Sequence, residues 1–148
     1  MSQQSHRTSC VIQRPLDEVF EFATDFEQFP RWFGVAEVHA VKELADRIGS
    51  EYELIYETLL SKRTVPVEIT RFEPLHTLAF KDSLRDNGEI VLSFETVDGG
   101  TTITLEYQST DRPLFRLLTG ASLQRQVQGL LKNLKQQLEP VTEPVLSQ

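Results

Sequence analysis

Tyrosines are the residues in this sequence best placed to do chemistry. Tyr52, Tyr56 and Tyr107 each fall on the apolar phase of an alternating segment. Each phenol is therefore expected on a buried face, where a hydroxyl needs a partner. Such a phenol can bond to backbone, water or another phenol, orient the polar end of an apolar ligand, or protonate a carbonyl. The third role needs an inward base, and the same phases carry no Lys, His or clear carboxylate to supply one. Other reactive types are scarce. His6, His39 and His76 stand far apart without Cys or carboxylate partners at ligand spacing, so neither a metal site nor a cofactor is expected. There is no Gly-x-Ser-x-Gly elbow and no glycine-rich phosphate loop, and Gly99-Gly100 has the character of a hairpin turn. Cys10 lies beside Ser9, Val11 and Ile12 without an activating neighbour, a setting in which a thiol behaves as a small hydrophobe.

The elements that position these tyrosines follow from periodicity. A first strand is expected from about Arg7 to Arg14, and Pro15 then opens a helix at the position where its missing N–H costs nothing. Leu16, Val19, Phe20 and Ala23 give that helix one apolar face, and Asp17 and Glu18 suit its positive end. Phe26 to Phe33, with Pro30 and Trp32, is a short second helix or an irregular turn. From Val35 to Thr110 the period becomes two. Tyr52, Leu54 and Tyr56 face one way and Glu51, Glu53 and Glu57 the other. Val65, Val67 and Ile69 continue the inward set, as do Leu78 with Phe80, Leu92 with Phe94, and Ile103 and Leu105 with Tyr107. The separators Arg47-Ile48-Gly49, Glu73-Pro74, Asp86-Asn87-Gly88 and Asp98-Gly99-Gly100 are turn-formers, so consecutive strands form an antiparallel meander. After Pro113 an amphipathic helix of about 25 residues begins, with Leu114, Leu117, Leu130, Leu134 and Leu138 on its stripe. Pro66 lacks a ladder donor, and its N–H position should therefore face solvent or a bulge.

Composition bounds the partners. The 148 residues make one domain, expected over 7–139 with loose ends at 1–6 and 140–148, and such a chain buries roughly 70% of its unfolded surface. The net charge of −7, from 22 acidic against 15 basic residues, repels phosphate backbones, so nucleic acid is not an expected partner. No apolar run reaches the 18 or so residues of a membrane span, so no integral membrane association is expected. With one cysteine and no signal core, a cytoplasmic setting is the simplest expectation.

The order strand, two helices, six strands and long helix resembles the START-like superfamily, also called the Bet-v-1-like or polyketide cyclase/dehydrase and lipid transport family. Val11-Ile12-Gln13-Arg14-Pro15-Leu16-Asp17-Glu18-Val19-Phe20 is similar to its strand-to-helix signature, and Asp25-Phe26-Glu27-Gln28-Phe29-Pro30-Arg31-Trp32 to the segment that follows. Ile48-Gly49-Ser50, Phe72-Glu73-Pro74 and Val97-Asp98-Gly99-Gly100-Thr101 match its strand ends. The resemblance covers roughly residues 8 to 138. It implies an α+β helix-grip fold, in which a curved antiparallel sheet of about seven strands wraps a long C-terminal helix around a cavity for hydrophobic ligands.

The inward tyrosines and apolar residues named above are then the expected ligand contacts. Trp32 is a core anchor or a lid over the cavity mouth, and Phe115 with Leu118, ahead of Gly120, forms a gate where the long helix begins. The leading expectation is a carrier or sensor for a small hydrophobic molecule such as a lipid, quinone or polyketide-like compound. Two alternatives stay open: a cyclase or dehydratase that uses pocket tyrosines, and a protein-interaction module similar to co-chaperones or ribosome-associated relatives.

Overall fold

The protein is described by a computed structural model covering residues 4–82, 88–109 and 120–139. The first strand, β1, spans Gln4–Ile12 rather than Arg7 to Arg14. It starts earlier because its antiparallel register with β7, Gly100–Ser109, continues to Gln4↔Ser109. It ends at Ile12, where the Arg14 N–H turns back onto the Ile12 carbonyl at 2.8 Å. Pro15 precedes the first helix instead of opening it: its φ of −61° and ψ of 151° are extended, and α1 spans Leu16–Ala23 with Val19, Phe20 and Ala23 buried. The same fixed φ suits either position, so the sequence places it only to within one residue. A 3-10 turn at Phe26–Gln28 follows, its entry capped by the Asp25 carboxylate, which accepts from the Glu27 N–H at 3.0 Å. It leads directly into α2, Phe29–Trp32.

The remaining strands are β2 (Glu37–Lys42), β3 (Glu51–Glu57), β4 (Lys62–Glu73), β5 (Thr77–Asp82) and β6 (Gly88–Val97). They form one seven-stranded sheet in the order β1-β7-β6-β5-β4-β3-β2, with every neighbouring pair antiparallel. Register shifts between Ala40 and Lys42 and between Ile69 and Arg71 insert an extra residue in β2 and β4. Bulges of this kind bend a strand and increase its twist, which helps the sheet to curve. Pro66 pairs with Glu53 of β3, and the described pairs with β5 begin at Val67↔Asp82, so its missing donor breaks no described pair on that side.

The terminal helix α3 is described over Gly120–Leu138 and packs against β1 and α2. Its end is tied to the β1–α1 elbow. The Arg14 side chain donates to the Leu138 carbonyl at 2.8 Å, Lys135 donates to the Val11 carbonyl at 2.6 Å, and the Gln13 N–H donates to the Glu139 carboxylate. That N–H, helped by Lys135, holds the Glu139 carboxyl below the usual range. The expected gate residues Phe115 and Leu118 lie outside the described residues.

Two glycines show how tightly the sheet closes. A Cβ on Gly100 would overlap the Ile12 carbonyl across the β1–β7 pair, whereas one on Gly129 of α3 would meet nothing within 4 Å. Gly100→Ala should cost roughly 2–4 kcal/mol in urea denaturation, and Gly129→Ala should gain about 1 kcal/mol. Equal effects from the two substitutions would contradict this packing.

Candidate functional site

The concave face carries the core. Leu54, Val65, Val67, Ile69, Leu78, Phe80, Leu92, Phe94, Ile103, Leu105 and Tyr107 are all buried there, joined by Ile90. Trp32 is fully buried, with its ring 5.5 Å from Phe29 and 5.3 Å from Phe33, so it anchors the core rather than lidding a mouth. Its indole N–H has no hydrogen-bond partner, and neither does the buried Nε2 of His6. An unmade bond of this kind costs about 1–3 kcal/mol, which makes both nitrogens attractive to an acceptor or donor brought in from outside. His6 was expected in a loose terminus. It instead sits in β1 directly opposite Tyr107, because the strand extends further than its apolar pattern suggests. Burial pushes the Tyr56 phenol well above its ordinary pKa, with Arg63 opposing and the Tyr107 phenol adding to the rise. Burial likewise raises the Cys10 thiol, which weakens it as a nucleophile.

Where the sheet meets α1 there is a cleft of about 560 Å³, partly open to solvent. Phe20 and Thr24 come from α1 and its end, Phe26 from the 3-10 turn, and Phe72 from β4. The connection between β2 and β3 supplies Glu43, Leu44, Arg47 and Ser50. Local bonds shape that connection. Ser50 Oγ accepts from the Leu44 N–H at 2.9 Å, the Ser50 N–H donates to the Arg47 carbonyl at 3.0 Å, and Arg47 itself has a left-handed φ of 73°. The Arg47 guanidinium donates to the Thr24 carbonyl at the end of α1 (2.8 Å) and lies 4.5 Å from the centre of the Phe72 ring. It thus satisfies a helix-end carbonyl and clamps the connection over an aromatic face.

Tyr52 is the hinge between cleft and core. Its ring stacks on Phe26 at 4.2 Å, and Phe26 in turn stacks on Phe29 at 4.3 Å and meets Phe80 edge-on at 5.3 Å. The Tyr52 hydroxyl donates to the Glu43 carboxylate at 2.9 Å. Burial, then the bond to Glu43 and its charge, push the phenol up to about 12, with Arg47 opposing. An inward carboxylate beside a tyrosine was not expected from the sequence. Glu43 lies outside the alternating segments, and only the fold of the β2–β3 connection brings it to Tyr52. Four carboxylates, those of Glu21, Asp25, Glu27 and Glu43, line the cleft against one guanidinium, so the site favours neutral or cationic occupants over anions.

Most of the predicted concave-face residues form the wall behind Tyr52 rather than the cleft itself, and Phe94 meets the floor through Phe20 at 5.0 Å. Phe20, Phe26 and Phe72 were legible only as apolar positions, and Arg47 only as a turn residue. Among the described residues, no group of three or more His, Cys, Asp or Glu could hold a metal ion, and no helix is long and apolar enough to cross a membrane.

A family described as polyketide cyclase / dehydrase and lipid transport matches residues 3–139, and the chain belongs to it. Solved structures with the same fold include the Zhui aromatase/cyclase from a Streptomyces species, at a TM-score of 0.75 and 14% identity over 93% of this chain and 94% of that one. A Thermus thermophilus protein is similar at 0.72 and 20% over 95% and 100%, and Ara h 8.0201 at 0.69 and 15% over 93% and 98%. At these identities the likeness is one of fold. None of the curated proteins matches the chain in sequence.

The raised Tyr52 phenol has a measurable consequence. A group that keeps its proton in the fold contributes stability in full below about pH 10, and loses it as pH climbs through about 12. Absorbance titration should show one tyrosine ionising near pH 12, and Glu43→Gln should lower that midpoint. A midpoint near 10 in the wild-type chain would refute the Tyr52–Glu43 bond.

Proposed function

We propose that this member of the polyketide cyclase/dehydrase and lipid transport family binds a small, neutral, largely aromatic molecule as a carrier or sensor. The ring system rests on Phe20, Phe26 and Phe72, and a hydroxyl or carbonyl oxygen lies at Tyr52 and Arg47. One observation carries this reading: a cleft of about 560 Å³ with an aromatic floor sets the Tyr52 hydroxyl beside the Arg47 guanidinium. That volume lies within the range of small-molecule sites, which pair an apolar lining with a few placed polar groups. The concave-face residues behind Tyr52, from Leu54 to Tyr107, pack as the core that backs this floor. The carboxylates that line the cleft disfavour an anionic ligand. Work in the cytoplasm suits the unpaired Cys10.

The bond between Tyr52 and Glu43 also favours a second reading, a cyclase or dehydratase. A carboxylate can take a proton from the carbon beside a carbonyl while an adjacent phenol donates to the oxygen that gains charge. The Zhui aromatase/cyclase shares the fold.

Native mass spectrometry of protein purified from its own source should show a co-purifying apolar compound. Against a hydroxylated aromatic probe, Tyr52→Phe should weaken binding about 2- to 10-fold, the value of one hydrogen bond. Phe26→Ala should abolish it. A chain that carries no compound, and whose cleft variants bind the probe as the wild type does, would refute the reading. A poly-keto substrate turned over by wild type and not by Glu43→Gln would establish the enzyme in place of the carrier.

A further inference from the structure

The hairpin joining β3 and β4 has no role in the cleft, and its tip is unusual. Leu59 and Leu60 are 103% and 96% exposed, the extreme among the large apolar residues of the described chain. They are not held there by loose backbone. The Thr58 N–H donates to the Ser61 carbonyl at 2.8 Å, and the Thr58 hydroxyl accepts from the N–H groups of Leu60 at 3.2 Å and Ser61 at 3.0 Å. A closed turn therefore displays two adjacent leucines to solvent.

The described pairs of the sheet register thin out toward the tip. On one side β2 stops at Glu37↔Ile55, and on the other the described β4–β5 pairs begin at Val67↔Asp82. The five steps from Lys62 to Val67 correspond to about 17 Å of strand. Ions in physiological salt screen charge over about 8 Å, so the tip lies roughly two screening lengths from the end of β5. The local charge differs from the global one. Lys62 and Arg63 follow the turn directly, and the only acid of the turn, Glu57, faces Lys62 at 3.8 Å.

We propose that this tip docks the protein reversibly on a phospholipid bilayer, with Leu59 and Leu60 inserted among the acyl-chain ends and Lys62 and Arg63 at the headgroup phosphates. A protein partner is the poorer fit. A stable protein interface needs about 800 Å² from each side, and among the described residues nothing at this end extends a tip of two side chains. The other large exposed apolar residues of the described chain, Val11, Val41, Leu44, Ile48 and Leu75, lie at the opposite end of the strands. A small apolar wedge flanked by cations is instead what a bilayer interface accepts. Tyr56, one strand position inside the turn, packs against the core, so docking brings lipid close to one end of the interior. The inference stands whether or not the cleft binds a ligand.

Vesicle flotation tests it with the full chain and no added ligand. The wild type should float with vesicles of equal parts phosphatidylcholine and phosphatidylglycerol in physiological salt. The double variant Leu59→Ser, Leu60→Ser should partition at least about tenfold less while melting as the wild type does. Both residues are exposed, so the variant leaves the core intact. A second chain, Leu59→Trp, places an indole at the tip, and its emission should shift to the blue on adding vesicles. Wild type that stays with the aqueous fraction, a double variant that floats equally well, or a tip indole without a spectral shift would each overturn the proposal. A concentration-dependent dimer abolished by the double variant, with no vesicle binding, would assign the tip to a second copy instead.

Discussion

A bent sheet with one apolar face must be covered, and the material available to cover it decides the form of this molecule. The helix α3 packs against β1 and α2 and is tethered at its end to the β1–α1 elbow. The space over β3, β4 and β5 is filled from the other side, by rings from the short segments after β1. Tyr52, Phe26, Phe29 and Phe33 stack in succession at 4.2, 4.3 and 4.6 Å, and Phe80 meets three of them. Each such pair adds to the area burial that holds the core together. The cleft is the outer end of that same column. Its floor is rigid because it is the core.

The electrostatics of the site follow from the same economy. Thr24 ends α1 with a carbonyl that needs a donor, and Arg47 supplies it from a connection whose backbone is locked by Ser50. The guanidinium that closes the helix end therefore also stands over Phe72 and beside Tyr52. A residue with a structural task brings charge to the edge of an aromatic surface. The carboxylate of Glu43 arrives on the same connection and keeps the Tyr52 phenol protonated.

The two ends of the strands are thereby given different characters. One end carries the acidic, aromatic-floored cleft. The other carries the β3–β4 turn with its exposed leucines and basic shoulder, past the last described pairs that β2 and β5 make. Proteins with one polar-rimmed concavity and one apolar point can separate recognition of a small molecule from attachment to a surface, since neither feature shares residues with the other.

How much of this was legible in the chain follows from the range of the forces involved. Alternation is local, so the inward set from Tyr52 to Tyr107 could be placed from residue type alone, whereas β2, almost wholly exposed, carries no such period. The helical face of Val19, Phe20 and Ala23 is local in the same sense. Boundaries that depend on a distant partner could not. The start of β1 at Gln4 is decided by pairing with Ser109, and that pairing placed His6 in the sheet where a loose end was expected. Glu43 and Arg47 were invisible as site residues for the same reason, since no period marks a connection. What the sequence determined by itself was the run of elements and the apolar face, because both follow from side-chain periods a few residues long, while the helix-grip arrangement was what the family resemblance implied. Only the tertiary structure decided where the cleft lies, which carboxylate meets Tyr52 and how far the β3–β4 turn projects, because each depends on contacts between segments far apart along the chain.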